Sequence, residues 1–347
     1  MASDLIRRLK LARRSLAGSQ SAPATRREIP AITAEEVAEA RAIFPTEKFF
    51  IFGHARSGTT LLTRLIRLHP NVHCNYQAHF FTRAPLLEAL VADPEVANWL
   101  SRRSNRWNRG RDLSPVVLRA VSDFIMEREA RRVGKAGPEF RVGDKSPNSL
   151  LNGRAVHMMY KVYPDARLVF IIRDGRDAVL SHRFQSFIDA PQVLSKEDLC
   201  IRDEFTRNPA PFLKGQRSLF LEESLRQEAQ RWVENVTQTD RAGRELLGEG
   251  YCCLRYEDVL PQPWEQMCRL WTFLGVALNI DGLRQELEGE MQQNPDADWQ
   301  QQKGGEIASS IQKGRRGSWQ ETLTTRDRQI FQEVAGEALA SWGYDAA

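Results

Sequence analysis

The chain has 347 residues, 41% of them apolar, enough to fill the core of one large α/β domain or of one carrying an embedded subdomain. Its 49 basic and 45 acidic residues leave a net charge of +4, too mild by itself to imply nucleic-acid binding. Five cysteines, two of them adjacent at Cys252 and Cys253, make neither a disulfide framework nor a metal pattern, and no apolar run has the length of a membrane span.

Residues 1–30 read as a basic tail. Arg7, Arg8, Lys10, Arg13 and Arg14 are interleaved with Leu5, Ile6, Leu9, Leu11 and Leu16, without the continuous apolar stretch of a signal peptide. A cytoplasmic location is therefore expected. The tail is a solvated, partly helical segment or a weak membrane-surface helix. Thr33 to Glu36 then form a capping box that opens a helix ending near Pro45.

Phe49 to Leu68, FFIFGHARSGTTLLTRLIRL, reads as one strand–loop–helix unit. Phe49–Phe52 is an apolar run ending at Gly53, as a buried parallel strand would be. Leu61, Leu62, Leu65, Ile66 and Leu68 recur at helical spacing. Between them a loop with two glycines five residues apart can turn backbone N–H groups inward beside a helix N-terminus, which makes an anion cradle. A triphosphate loop of this kind continues Gly-Lys-Ser/Thr. Here Gly58 is followed by Thr59, and the cation is Arg56, inside the loop. A shorter 5′-anion is expected.

His69 to Phe81 leaves this helix and is expected near the open end of the loop, so His73, Gln77 and His79 are candidates for a reacting centre. Residues 93–140 read as helical and polar. The arginines at 102, 103, 106, 109 and 111, near Trp99 and Trp107, form either a solvated face or a surface for an anionic or sugar-like acceptor. Gly143 to Asn148, GDKSPN, reads as a compact polar turn that sets Asp144 beside Lys145 before a helix over about 150–162.

Arg167–Ile172 is a second buried strand, and it runs directly into a helix. Arg173, Arg176 and Ser181 cluster at that junction and can grip a second phosphate, or else pair with Asp174 and Asp177. Residues 188–222 lack a clear period and read as a lid or binding loop. Ser224 and Gln227 are expected to cap a long helix. A strand over Tyr251–Arg255, a helix around 264–274 and an amphipathic helix over about 326–341 complete the chain. Before the last helix, Lys313, Arg315 and Arg316 between Gly314 and Gly317 make a cationic flap, which Trp319 can anchor.

In order, FIFGHARSGTTLL, LVFIIRDGRDAVLSHRF, LRYEDVL and KGRRGSW resemble the four nucleotide-binding motifs of the sulfotransferases that use 3′-phosphoadenosine 5′-phosphosulfate (PAPS). GDKSPN and FIIRDGRDAV resemble the branch with bacterial, carbohydrate and tyrosylprotein sulfotransferases. The resemblance implies an α/β fold, a P-loop-like parallel sheet flanked by helices on both faces, spanning residues 31–347 with acceptor or lid segments inserted at about 93–140 and 188–222. It implies that Arg56, Ser57, Gly58, Thr59 and Thr60 hold the 5′-phosphosulfate. Arg173 and Ser181 would hold the 3′-phosphate under Arg315, Arg316 and Gly317, with Tyr256 near the adenosine. PAPS would be a co-substrate, with no metal, and Arg56 with Lys145 would stabilise charge on the leaving oxygen.

The base is where the chain departs from that pattern. The tyrosylprotein branch has Glu where this chain has Gln77, and an amide cannot accept a proton at neutral pH. His79 is the first candidate and Asp144 the second. The expected reaction is sulfuryl transfer to a hydroxyl, of a glycan or a lipid-linked acceptor. Alternatives are a tyrosylprotein sulfotransferase or a catalytically inactive nucleotide-binding protein, and the missing lysine disfavours a kinase.

Overall fold

The computed structural model describes residues 28–84, 86–292 and 317–344. They fall into two compact units, one comprising residues 88–114 with the stretch before Ala31, the other residues 31–87 and 115 onward. Most of the basic tail and the flap residues Lys313–Arg316 lie outside the described residues.

In chain order the larger unit begins with α1 (Ala34–Ile43), opened by the expected capping box: Glu36 N donates to Thr33 Oγ1 and Thr33 N donates to the Glu36 carboxylate. Then come β1 (Glu47–Gly53), α2 (Thr59–Ile66) and β2 (Val72–Tyr76). The smaller unit holds α3 (Pro94–Ser101), capped by Asp93, and the turns up to Ser114. The larger unit resumes with α4 (Ser114–Arg132), β3 (Arg141–Lys145), α5 (Arg154–Val162), β4 (Arg167–Ile172) and α6 (Gly175–Asp189). It continues through α7 (Lys196–Arg207), α8 (Ala210–Leu213), α9 (Glu222–Leu247), β5 (Tyr251–Arg255) and α10 (Tyr256–Val259). The last helices are α11 (Pro263–Phe273), α12 (Leu283–Gln292), α13 (Ser318–Thr322) and α14 (Thr325–Ser341).

The five strands form one parallel sheet in the order β2-β3-β1-β4-β5. Parallel strands need crossovers, and the helices supplying them cover both faces, which is why the inner strands β1 and β4 are buried nearly throughout, while the edge strand β5 alternates between buried and half-buried positions. On one face Phe49, Ile51, Val169, Ile171 and Leu254 pack against Leu62, Leu65 and Ile66 of α2, Leu270 and Trp271 of α11, and Leu283 and Leu287 of α12. On the other, Phe50 meets the rings of Phe81 and Tyr163 at centroid distances of 5.6 and 5.0 Å. Each of Phe49 to Phe52 is at most 1% exposed, worth roughly 2 kcal/mol per side chain relative to exposure.

β1 is anchored at its N-terminal end by a buried ionic cluster. Lys48 Nζ lies 2.9 Å from Glu127 Oε1 and 3.4 Å from Asp123 Oδ1 of α4. Arg119 pairs with Asp123 and with Asp165, and Tyr163 donates to Asp123 Oδ1 at 2.9 Å.

Four expectations need correction. The GDKSPN turn is in its first half the end of an inner strand: Gly143, Asp144 and Lys145 pair with Phe49, Phe50 and Ile51 of β1. Gly143 is glycine because a Cβ there would stand 2.5 Å from the Phe49 carbonyl oxygen. Residues 188–222 are mostly helical and packed. Ser195 Oγ accepts from Asp198 N to cap α7, Arg183 pairs with buried Asp198, and Phe205 packs on Phe184, Phe187 and Phe212. Ser224 caps nothing, since α9 begins two residues earlier, after Leu221. The helical stretch read over 93–140 is two helices separated by a run of turns at 102–113.

Candidate functional site

The site is built on the carboxyl ends of the strands, where α/β sheets gather ligands. After β1 the chain turns through Arg56 at φ 70° and Gly58 at φ 87° into α2. A left-handed non-glycine residue such as Arg56 is strained backbone, of the kind that accumulates at ligand sites. Gly58 has a second reason to be glycine: a Cβ there would meet the Tyr256 ring at 2.2 Å. Inside the loop, Ser57 Oγ is fully buried and has no hydrogen-bond partner among the described residues. A buried hydroxyl left unmatched in this way is costly unless something binds there. Thr59 and Thr60 begin α2, whose first N–H groups add donors.

Three further strands bring the remaining residues to this loop. From β4, Arg173 Nη1 donates to the Arg56 carbonyl at 3.2 Å, and its guanidinium lies 4.9 Å from the Tyr256 ring centroid. Ser181, on the second turn of α6, accepts from Arg56 Nε at 3.2 Å. Arg56 thus joins the two anion-loop units. From β5, Tyr256 opens α10 against Gly58. From β3, Lys145 Nζ donates to Thr60 Oγ1 at 3.3 Å and sits 5.1 Å from the Tyr76 ring centroid.

Arg176 turns elsewhere. It pairs with Asp174 at 2.8 Å and stacks 3.7 Å above the Trp319 ring, which fixes the segment just after the flap. Asp177 completes this anchor by accepting from Gly317 N at 2.7 Å and Trp319 N at 3.1 Å. Burial raises the Asp177 carboxyl, against the lowering effect of Arg173 and the two amides. Gly317 is therefore held at the N-terminus of α13, while Arg315 and Arg316 lie outside the described residues.

The proton-handling candidates stand on the β3–β2 side. Asp144 and Lys145 are neighbours in β3, so their side chains leave on opposite faces of the sheet. Asp144 Oδ1 accepts from Ala78 N at 3.0 Å and Oδ2 from Ser146 Oγ at 2.6 Å. Ser146 Oγ in turn accepts from His79 N at 2.9 Å, and Gln77 N donates to the Lys145 carbonyl at 2.7 Å. Gln77 and His79 both hold left-handed backbone, at φ 56° and 54°. Burial pushes the Asp144 carboxyl up to about 6. The His79 ring is partly buried, with Nδ1 2.9 Å from Thr82 Oγ1. Burial, with Arg83 and Lys145 nearby, holds its pKa below the usual 6.5. His73 points instead to Asn75 Oδ1 at 2.8 Å.

Ser146 escapes sequence reasoning, and Asp177 is read there only as an ion-pair partner, because both act through backbone amides. The i, i+4 spacing of Arg173 and Asp177 is the one available hint. His54, in the loop, is also unheralded: it is buried, contacts the Ala55 carbonyl at 3.0 Å, and burial pushes it down to about 4, so it stays neutral. Among the described residues no group of His, Cys, Asp and Glu side chains could hold a metal ion, and all five cysteines are unpaired.

A parallel sheet with a glycine loop after its central strand and a second basic cluster after the neighbouring strand defines an α/β protein with two candidate anion sites at one edge. The family model described as "Sulfotransferase family" matches residues 48–279, and the chain belongs to that family. It is 26% identical over 239 residues to a protein-tyrosine sulfotransferase of Drosophila melanogaster, covering 68% of this chain and 40% of the relative. It is 31% identical over 135 residues to protein-tyrosine sulfotransferase A of Caenorhabditis elegans, covering 38% of this chain and 32% of the relative. The chain thus spans well under half the length of these relatives. Among solved structures it is similar to mouse sulfotransferase SULT7A1 complexed with PAP, with TM-score 0.46 and 15% identity, covering 88% of this chain and 89% of that one. A sulfotransferase from Alicyclobacillus acidocaldarius gives TM-score 0.41 and 20% identity over 85% and 98%. No described helix is long and apolar enough to cross a membrane.

Proposed function

We propose that the chain transfers the sulfuryl group of PAPS to an acceptor hydroxyl. The observation that carries this is the pairing of two donor-rich sites on hydrogen-bonded neighbours β1 and β4, joined through Arg56, Arg173 and Ser181. PAPS has separate 5′ and 3′ anions and needs such a pair, whereas a triphosphate needs the lysine that Thr59 replaces. The unmatched Ser57 hydroxyl and a lining of Arg, Ser, Thr and backbone N–H groups suit an anionic ligand.

In this reading Arg56, Ser57, Gly58, Thr59 and Thr60 hold the 5′ group. Arg173 and Ser181 hold the 3′-phosphate with Gly317, Arg315 and Arg316, and Tyr256 borders the adenosine. The bound donor supplies the sulfuryl group. Arg56 and Lys145 offer fixed positive charge where charge develops on the leaving oxygen. His79, whose Nδ1 lies 2.9 Å from Thr82 Oγ1, takes the proton of the acceptor hydroxyl on Nε2 in the tautomer that donates from Nδ1 to Thr82. Asp144 and Ser146 hold the backbone of residues 78–79 in place. The acceptor we favour is a glycan or lipid-linked hydroxyl. The protein-tyrosine sulfotransferases among the relatives favour a tyrosine acceptor as the second reading, against which stands Gln77 in place of a carboxylate.

Calorimetry with adenosine 3′,5′-bisphosphate and with ATP tests the donor site, and labelled-sulfate transfer to a panel of glycans, lipids and tyrosine peptides tests the reaction. Binding of the bisphosphate alone, and loss of transfer in Arg56→Ala, are expected. Preference for ATP, or bisphosphate binding unaltered in Arg173→Ala, overturns the proposal.

A further inference from the structure

Residues 99–111, WLSRRSNRWNRGR, contain five arginines and no acidic residue. All five arginines are exposed, and so are two large aromatic rings, Trp99 at 60% and Trp107 at 51%. The ring centroids are 5.0 Å apart with the planes inclined at 35°. A dedicated scaffold holds them there. Asn108, 3% exposed, donates from Nδ2 to the carbonyls of Leu100 at 3.1 Å and Arg102 at 3.3 Å, and its Oδ1 accepts from Gly110 N at 3.0 Å. Asn105 Nδ2 donates to the Trp99 carbonyl at 3.0 Å, and Leu113 N to the Leu100 carbonyl at 3.2 Å.

Two indoles kept in water by a buried amide are unfavourable unless a partner covers them. Charge narrows the partner to an anionic one. With centroids 5.0 Å apart the two indoles adjoin as one apolar element, in a stretch whose arginines are exposed. Tryptophan favours the headgroup level of a bilayer, and arginine is drawn to an anionic leaflet. We propose that this stretch of the smaller unit docks on an anionic phospholipid surface, the tryptophan pair entering the headgroup region and Arg102, Arg103, Arg106 and Arg109 pairing with lipid phosphates and carboxylates. This goes beyond the transfer reaction and stands without it.

The test is flotation of the full chain with vesicles of phosphatidylcholine, with and without phosphatidylserine. Binding only to the mixed vesicles, weakened by salt, is expected. Trp99→Ala/Trp107→Ala should lower partitioning at least tenfold, and Arg102→Gln and Arg106→Gln about fivefold each. Unchanged circular dichroism and thermal melting check that the variants are folded. Should the tryptophan variant misfold, the arginine substitutions at exposed positions carry the test. Because the first residues are also basic, a chain lacking residues 1–27 is compared. Failure of the full chain to bind mixed vesicles overturns the proposal. So does undiminished binding in the variants, or binding that depends wholly on residues 1–27. Tryptophan-dependent capture on an acidic polysaccharide in place of vesicles assigns the face to a different partner and equally overturns it.

Discussion

Replacing Gly58 with alanine puts the site's geometry to its severest test. The added Cβ would stand 2.2 Å from Tyr256 Cδ2 and 2.5 Å from Cε2, at a φ of +87°. The ring has no room to retreat, being 5% exposed with the Arg173 guanidinium 4.9 Å from its centroid. Left-handed backbone costs an alanine ~1–2 kcal/mol, and overpacking a filled contact costs ~1–3 more. If the loop relieves this by shifting, its N–H groups leave the anion and the loss falls on ligand affinity. About 2 kcal/mol is already about 30-fold in Kd. Calorimetry with adenosine 3′,5′-bisphosphate, beside a thermal melt, measures both consequences. In a Tyr256→Ala background the clash disappears, so the same substitution should then cost only the backbone strain, ~1–2 kcal/mol. Gly58→Ala that binds within threefold of the parent, or costs as much without the Tyr256 ring as with it, refutes the reasoning.

If His79 is the base, its pKa below 6.5 keeps it neutral at neutral pH, and transfer falls as pH drops through that pKa. A flat profile between about pH 5 and 8, or loss of less than ~10² in His79→Ala, discards the role. Asp144 carries the opposite signature in stability. Its carboxyl is raised from 3.8 to about 6, so its contribution is fully present below the unfolded pKa and is lost as pH rises through the folded one. That loss amounts to up to ~3 kcal/mol, and denaturation of Asp144→Asn should show a flatter pH dependence over that window. Lys48→Met leaves Glu127 and Asp123 buried without their shared cation and should cost ~3 kcal/mol in urea denaturation. Its affinity for the bisphosphate should not change, because Lys48 lies at the N-terminal end of β1, away from the loop.

The sheet is most legible where a strand is buried on both faces. Phe49–Phe52 and Arg167–Ile172 announce themselves because crossovers demand apolar side chains on either side, whereas Tyr251–Arg255, at the sheet edge, alternates between buried and half-buried positions and shows only a short apolar run. β3 was not legible, for physical reasons visible in each residue. Gly143 is small to admit the Phe49 backbone, and Asp144 and Lys145 are polar because they carry hydrogen bonds at the strand's end. Function there erases the pattern that would mark the strand. The helix at Lys196–Arg207 was hidden in another way: it buries little more than Asp198 and Phe205, so no apolar stripe betrays it. At the site, the loop residues could be read from glycine spacing and Arg173 from its place after a strand. Residues that serve through main-chain amides, Asp177 and Ser146 above all, leave no such trace.

The strand order has a consequence for how the protein can change. Apart from Lys145 of β3, which reaches Thr60, the residues gathered around the two candidate anion sites hang from β1, β4 and β5, whereas Gln77 and His79 follow β2 on the other flank. The gap between the cradles is set by main-chain hydrogen bonding between adjacent strands, a caliper that side-chain substitution cannot stretch. If the proposed donor binds there, its recognition is insulated from change on the far flank, where the proposed acceptor side could alter without moving the two anion sites apart.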